Sequence, residues 1–163
     1  MRARFAASRP REKKRSAVNI DVKVKKLRPD AVIPAYETPG SAGCDLRACM
    51  DAPVSIAPGE TVMIHTGLSM EIPAGYVGLV FARSGLSTKK GLAPANKVGV
   101  IDSDYRGEWM VGLLNHSPEP RTVEPGERIA QAVFVPCVTA MFAETETLSD
   151  TARGEGGFGS TGR

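Results

Sequence analysis

The sequence predicts an all-β fold: a distorted jelly-roll or β-sandwich-like barrel with one short helix. Three observations carry this expectation. Apolar and polar residues alternate with period two in several short runs, Pro/Gly turns separate the runs, and a single segment carries helix signals. Many short strands at such spacing suit a sandwich or barrel.

The folded part is expected from residue 17 to residue 150. In "VNIDVKVKKL", Val18, Ile20, Val22 and Val24 alternate with Asn19, Asp21, Lys23 and Lys25, the pattern of a half-buried strand. "ETVMIHTGLSMEIP" reads as strand, glycine turn, strand. "GYVGLVFAR", "GEWMVGLLN" and "ERIAQAVFVPCVTAMF" read as further strands. "APGE", "IPAG", "SPEP" and "EPGE" supply turns between them. The helix is "SGLSTKKG", residues 84–91. Ser84 is the expected N-cap, Lys89 and Lys90 suit the last turn, and Gly91 suits the left-handed residue that ends a helix. Arg83, the Ser84 hydroxyl and free N–H groups then converge on one spot able to hold an anion.

The 163 residues, 42% of them apolar, suffice for one domain with its own core. No apolar run approaches the roughly 18 residues of a membrane-spanning helix, and "MRARFAASRPREKKRS" lacks the apolar centre of a secretory signal. Cys44, Cys49 and Cys137 are odd in number and show no C-x-x-C spacing, so neither a disulfide framework nor a zinc site is expected, and reduced thiols in a cytoplasmic setting are. His65 in a strand-like run and His116 in a loop read as ordinary surface or core residues. Residues 1–16 carry seven Arg/Lys against Glu12, a net +6; with +3 for the whole chain, the remainder is −3. The basic excess therefore lies in one arm, expected to be disordered. It leaves organellar or nuclear targeting and a nucleic-acid contact open, but the acidic remainder argues against nucleic acid as the main partner.

Two segments look chemical. In "GVIDSDYRGE", residues 99–108, Asp102 follows the apolar pair Val100-Ile101, and Tyr105 and Arg106 precede a glycine turn: a carboxylate held at a strand end beside an aromatic wall. "RGEGGFGSTGR", residues 153–163, has five glycines in eleven residues, with Arg153, Phe158, Ser160 and Thr161 among them. Glycines let backbone N–H groups approach a phosphate closely. No Lys-Ser/Thr pair closes the loop in the Walker manner. Composition alone also suits a flexible tail.

Five motifs in order resemble the trimeric dUTP nucleotidohydrolase (dUTPase) family: "AGCDLRA" (42–48), "RSGLS" (83–87), "GVIDSDYRGE" (99–108), "GERIAQ" (126–131) and "RGEGGFGSTG" (153–162). Each alone is weak; five in order over most of the chain are specific. The resemblance implies a jelly-roll-like homotrimer whose active sites lie between subunits. The C-terminal arm, residues 151–163, closes over a site built by the other two chains, and "RSG" supplies the helix dipole that this glycine loop lacks. The implied reaction is hydrolysis between the α- and β-phosphates of dUTP, giving dUMP and pyrophosphate, which keeps uracil out of DNA and supplies dUMP for thymidylate synthesis.

The same resemblance assigns roles. Asp102 positions and deprotonates the attacking water, with Arg83 and Gln131 beside it in the catalytic set. Arg83, Ser84, Gly85 and Gln131 clamp phosphates, and Arg153, Ser160 and Thr161 add contacts from the arm. A hairpin from Asn96 to Met110 reads uracil and deoxyribose through Asn96, Val98, Val100, Ile101, Asp102, Tyr105 and Met110. Phe158 and Gly159 cover the base, and Tyr105 leaves no room for a 2′-hydroxyl. Mg²⁺ is implied as cofactor, held mainly by the substrate phosphates; Asp45 acts on it through a water, or orients Arg83. A dCTP deaminase or bifunctional relative on the same fold is the nearest alternative, and the full "GGFGSTG" segment argues against it. A non-enzymatic β-sandwich would give no reason for the ordered set of phosphate and base contacts.

Overall fold

In the computed structural model, residues 19–157 are described. The basic arm at 1–16 and the segment from Phe158 onward lie outside them. The described residues form β1 (Lys23–Lys26), β2 (Cys44–Arg47), β3 (Val54–Ile56), β4 (Thr61–Glu71), β5 (Tyr76–Phe81), α1 (Ser84–Lys90), β6 (Leu92–Pro94), β7 (Val98–Ile101), β8 (Glu108–Asn115), β9 (Arg121–Val123) and β10 (Arg128–Pro136). One sheet has the order β1-β4-β8-β6 and a second has β2-β10-β5-β7; β3 and β9 form a small pair. Every pairing is antiparallel. The expected all-β jelly-roll sandwich with one short helix is the observed architecture.

The core follows from period two. Along β8, Trp109, Val111 and Leu113 are buried while Met110 faces out. Cys44 and Leu46 of β2 and Ala130 and Ala132 of β10 do the same in the other sheet, leaving Asp45 and Gln131 on the opposite face. Trp109 and Phe134 meet across the sheets, ring centroids 6.2 Å apart. Gly78 of β5 admits this: a Cβ there would stand 2.7 Å from the Trp109 ring. Cys44, Cys49 and Cys137 are all free thiols. No helix among the described residues is long and apolar enough to cross a membrane.

Five details differ from the sequence reading. The first strand spans only Lys23–Lys26, although Val22 and Val24 pack on the core as expected. Residues 61–71 form one strand rather than two; Gly67 (φ 68°) makes a bulge in it, not a turn. Arg83 (φ −89°, ψ 130°) is the N-cap of α1, so Ser84 is its first helical residue and makes no capping bond, while Gly91 (φ 71°) ends the helix as expected. Strand β10 stops at Pro136, opposite Tyr76 where its partner β5 begins; after one last bond, from the Cys137 N–H to the Gly75 carbonyl at 2.9 Å, the chain through residue 142 runs outside any sheet. Finally, β7 and β8 do not pair as a hairpin. Strand β7 lies beside β5 and β8 lies between β4 and β6, so residues 102–107 cross from one sheet to the other.

Candidate active site

The expected site residues form two clusters. In the first, Asp45 of β2 stands opposite Gln131 of β10, and Gln131 stands opposite Phe81 of β5. Side chains directly opposite on antiparallel strands share a face. Arg83 follows β5 by two residues and turns back onto this face. Its Nε is 2.7 Å from Asp45 Oδ1, and its Nη1 donates to the Arg128 carbonyl at 3.4 Å. Arg128 Nη1 meets the other Asp45 oxygen at 3.1 Å, and Glu37 touches Arg128 from the rim at 3.5 Å. Asp45 thus holds two guanidinium groups and fixes the orientation of Arg83. Gln131 Nε2 donates to the Ala82 carbonyl at 2.9 Å. Gly43 makes room for that amide, since a Cβ there would lie 2.6 Å from Gln131 Oε1. Ser84 and Gly85 lie exposed at the start of α1, which Leu86 anchors in the core.

The second cluster surrounds a cavity of about 250 Å³ lined by Met63, Val100, Ile101, Asp102, Tyr105, Glu108 and Met110. Val100, Tyr105 and Met110 present exposed apolar surface to it. Tyr105 is fixed by its hydroxyl, which donates to the Glu108 carbonyl at 3.1 Å. A Cβ at Gly107 would overlap the Tyr105 ring. Arg106 Nη1 donates to the carbonyls of Ser103 and Tyr105 at 2.7 and 3.0 Å, bracing the crossing loop from outside. Asp102 is exposed at the cavity edge and also borders a larger cleft beside Tyr76, Val77 and Asp104.

One chain does not bring the two clusters together. Val98 pairs with Phe81 and Ile101 with Gly78, so Arg83 and Asp102 follow opposite ends of the β5–β7 ladder. Gly78 to Phe81 spans about 10 Å of strand, with Asp102 beyond one end of that stretch and Arg83 beyond the other. Asn96 and Val98 lie at the Arg83 end of β7. Asn96 is exposed, its amide near Gly99, in a tight turn where Lys97 has φ 66° and Val98 N–H donates to the Asn96 carbonyl at 2.7 Å. Arg153 lies away from both clusters in its own turn, its Nε donating to the Gly156 carbonyl at 2.7 Å. Phe158, Gly159, Ser160 and Thr161 lie outside the described residues.

Sequence reasoning missed Arg128, Met63, Glu108 and His65. Arg128 was signalled, since it sits in "GERIAQ" three residues before Gln131. Met63, His65 and Glu108 are brought to the second cluster by the β4–β8 register, which no local pattern displays. His65 Nδ1 is 2.8 Å from Glu108 Oε2. Burial pulls the Glu108 carboxyl upward, but its bonds to His65 and the Gly67 N–H outweigh this and hold it below the usual glutamate value.

Comparison with known proteins places the chain in a family. A deoxyuridine 5'-triphosphate nucleotidohydrolase of Thiobacillus denitrificans is 50% identical over 145 residues, covering 88% of this chain and 99% of that protein. The protein of the same name from Desulfitobacterium hafniense is 52% identical over 147 residues, covering 88% and 97%. The dUTPase of Staphylococcus bacteriophage 80alpha, solved with dUPNHPP, superposes with a TM-score of 0.78 at 31% identity, covering 89% of this chain and all of that one. A mutant dUTPase from phage phi11 of S. aureus, whose structure concerns the coordination of a structural Mg(II) ion, superposes at 0.71 with 25% identity, covering 80% and 100%. The dUTPase family model matches residues 29–162, nearly the whole described chain, and the chain belongs to the dUTPase family.

Proposed function

We propose that this chain hydrolyses dUTP to dUMP and pyrophosphate, in a site shared between copies of a homotrimer. Family membership over residues 29–162 supports the reaction. The observation that carries the shared site is the separation of Asp102 from Arg83 at opposite ends of the β5–β7 ladder. A water-activating carboxylate and a phosphate clamp have to meet on one triphosphate, so the clamp facing Asp102 belongs to another copy.

In this reading a water attacks the α-phosphorus, Asp102 accepts its proton, and the bond to the bridging oxygen breaks to release pyrophosphate. A carboxylate is a weak base, but holding the water in line and replacing solvent by fixed groups provide much of the rate. Arg83, held by Asp45, and Gln131 bind the phosphate oxygens on which charge accumulates, and the backbone of Ser84 and Gly85 lines the same spot. Val100, Ile101, Tyr105 and Met110 enclose the nucleoside, with Asn96 and Val98 supplying polar contacts to the uracil edge. Arg153, Phe158, Gly159, Ser160 and Thr161 close the site from the arm. Among the described residues no three His, Cys, Asp or Glu side chains converge for a metal, and both Asp45 oxygens already meet guanidinium groups. This donor set suits Mg²⁺ carried on the triphosphate, where it would offset negative charge, with Asp45 acting by orienting Arg83.

The test is pyrophosphate release measured side by side with dUTP, dCTP, dTTP and UTP. dUTP is expected to be strongly preferred. Ammonia release from dCTP would instead identify a deaminase.

A further inference from the structure

The geometry points to Glu108 as a positioning residue for the nucleoside: its carboxylate closes the bulge in β4 and thereby holds Tyr105 and the Asp102 loop at the cavity. This rests on the dUTP reading above. In the β4–β8 ladder His65 pairs with Met110 and Ser69 pairs with Glu108, so Thr66, Gly67 and Leu68 together face Trp109 alone. Such a bulge frees backbone groups from the ladder, and buried ones need partners. Thr66 Oγ1 donates to the Trp109 carbonyl at 2.6 Å and accepts the Leu68 N–H at 3.3 Å. The Gly67 carbonyl accepts the Leu27 N–H at 2.8 Å. The Gly67 N–H donates to Glu108 Oε1, also at 2.8 Å.

Residue 67 cannot provide for itself. Its φ of 68° suits glycine, and a Cβ there would stand 2.8 Å from Cys49 Sγ and 2.9 Å from Ala31 Cβ. The acceptor has to come from across the ladder, and Glu108 is the residue placed to supply it. Its second oxygen meets His65 Nδ1, so both ends of the carboxylate are held on β4.

The consequence reaches the cavity because Glu108 is where the crossing loop joins β8. Its carbonyl accepts the Tyr105 hydroxyl, and next to it Ser69 Oγ donates to the Arg106 carbonyl at 2.7 Å. The loop that carries Asp102 and Tyr105 is therefore pinned to the bulge at two points, through Glu108 and Ser69. If Tyr105 is the wall that excludes a 2′-hydroxyl, its stiffness sets how well a ribonucleotide is refused, and that stiffness runs through the Glu108 carboxylate.

The experiment compares Glu108→Ala, Glu108→Gln and His65→Ala with the unaltered protein in kcat/KM for dUTP and UTP, alongside amide exchange of residues 102–107 without nucleotide. Loosened positioning of this kind costs about ten- to a hundredfold. We expect Glu108→Ala to lower the dUTP:UTP ratio by about that factor, with faster exchange in the loop. Glu108→Gln, whose amide oxygen can still accept from Gly67, should keep most of the ratio, with His65→Ala in between. Equal losses for both nucleotides with an unchanged ratio, or loop exchange unaltered in Glu108→Ala, would overturn the proposal. Absence of dUTP hydrolysis by the unaltered protein would instead overturn the functional reading, and the exchange measurement would still decide the role of Glu108.

Discussion

At the scale of single residues, Asp102 and Arg83 show how differently two charged side chains are prepared. Arg83 is locked by Asp45 at 2.7 Å and by the Arg128 carbonyl, so its guanidinium is set before any ligand arrives. Asp102 lies exposed at the end of β7, placed by the backbone turn that its carbonyl makes with the Tyr105 N–H at 3.2 Å. Its carboxylate can be altered without unfolding anything beneath it. We expect Asp102→Asn to keep the native circular dichroism spectrum and to bind a non-hydrolysable dUTP analogue, while kcat falls by ~10²–10⁴, the usual cost of losing a general base. Turnover near that of the unaltered protein would assign the base elsewhere. Both residues were singled out in the sequence because each sits in a motif that resembles the family's, an apolar pair then Asp and Arg before Ser-Gly, and their proposed roles come from that resemblance. Glu108 and His65 were not, because their chemistry is made by cross-strand register and bulge geometry, which period-two patterning does not encode.

At the scale of elements, alternation identified β5, β8, the first half of β4 and the Ala130–Val133 stretch of β10, where buried and more open positions alternate; residues 66–70 of β4 are buried on both faces. The three-residue strands β3, β6 and β9 are too short to show a period. Gly67 misled the reading for a physical reason: a left-handed glycine between two apolar runs marks a turn or a bulge equally well, and only the partner strand distinguishes them. The segment after Pro136 misled it because Val138 and Met141 are apolar while the pairing with β5 ends at Tyr76, with one further bond from Cys137 to Gly75. Gly43 shows how an element's edge tunes the site. It precedes β2, directly under the Gln131 amide. A methyl group there can be accommodated by swinging that flexible side chain, so the fold survives but the amide leaves the Ala82 carbonyl and, with it, the pose proposed to meet the phosphates. Gly43→Ala should therefore shift the melting temperature by no more than the few degrees that correspond to about 1 kcal/mol. It should lower kcat/KM for dUTP by about tenfold, the worth of one hydrogen bond to charged substrate. A large loss of stability with normal kcat/KM per folded molecule would show that Gly43 serves packing rather than Gln131.

At the scale of the whole molecule, a single chain leaves two things unfinished. The proposed base, Asp102, and the proposed phosphate clamp at Arg83 are held apart by the β5–β7 ladder, and the segment 137–157 exposes Val138, Met141, Phe142 and Leu148, each at least 86% accessible. Apolar side chains strung along an unpaired segment call for a covering surface, and in the proposed trimer a second copy would supply one. A trimer in which one chain gives Asp102, another Arg83 and a third the arm resolves both at once, and it makes a prediction that no self-contained site shares. A variant lacking residues 153–163 keeps Asp102 but has no arm; Asp102→Asn keeps the arm but has no base. Each alone should turn over dUTP slowly. Mixed and given time to exchange subunits, they form trimers in which an intact Asp102 from one chain faces an intact arm from another. Pyrophosphate release should then rise above the sum of the two separate proteins, follow the extent of exchange seen by native mass spectrometry, and peak at intermediate mixing ratios. If mixed trimers form and the rate stays at that sum for every ratio, base and arm belong to the same chain and the shared site is wrong.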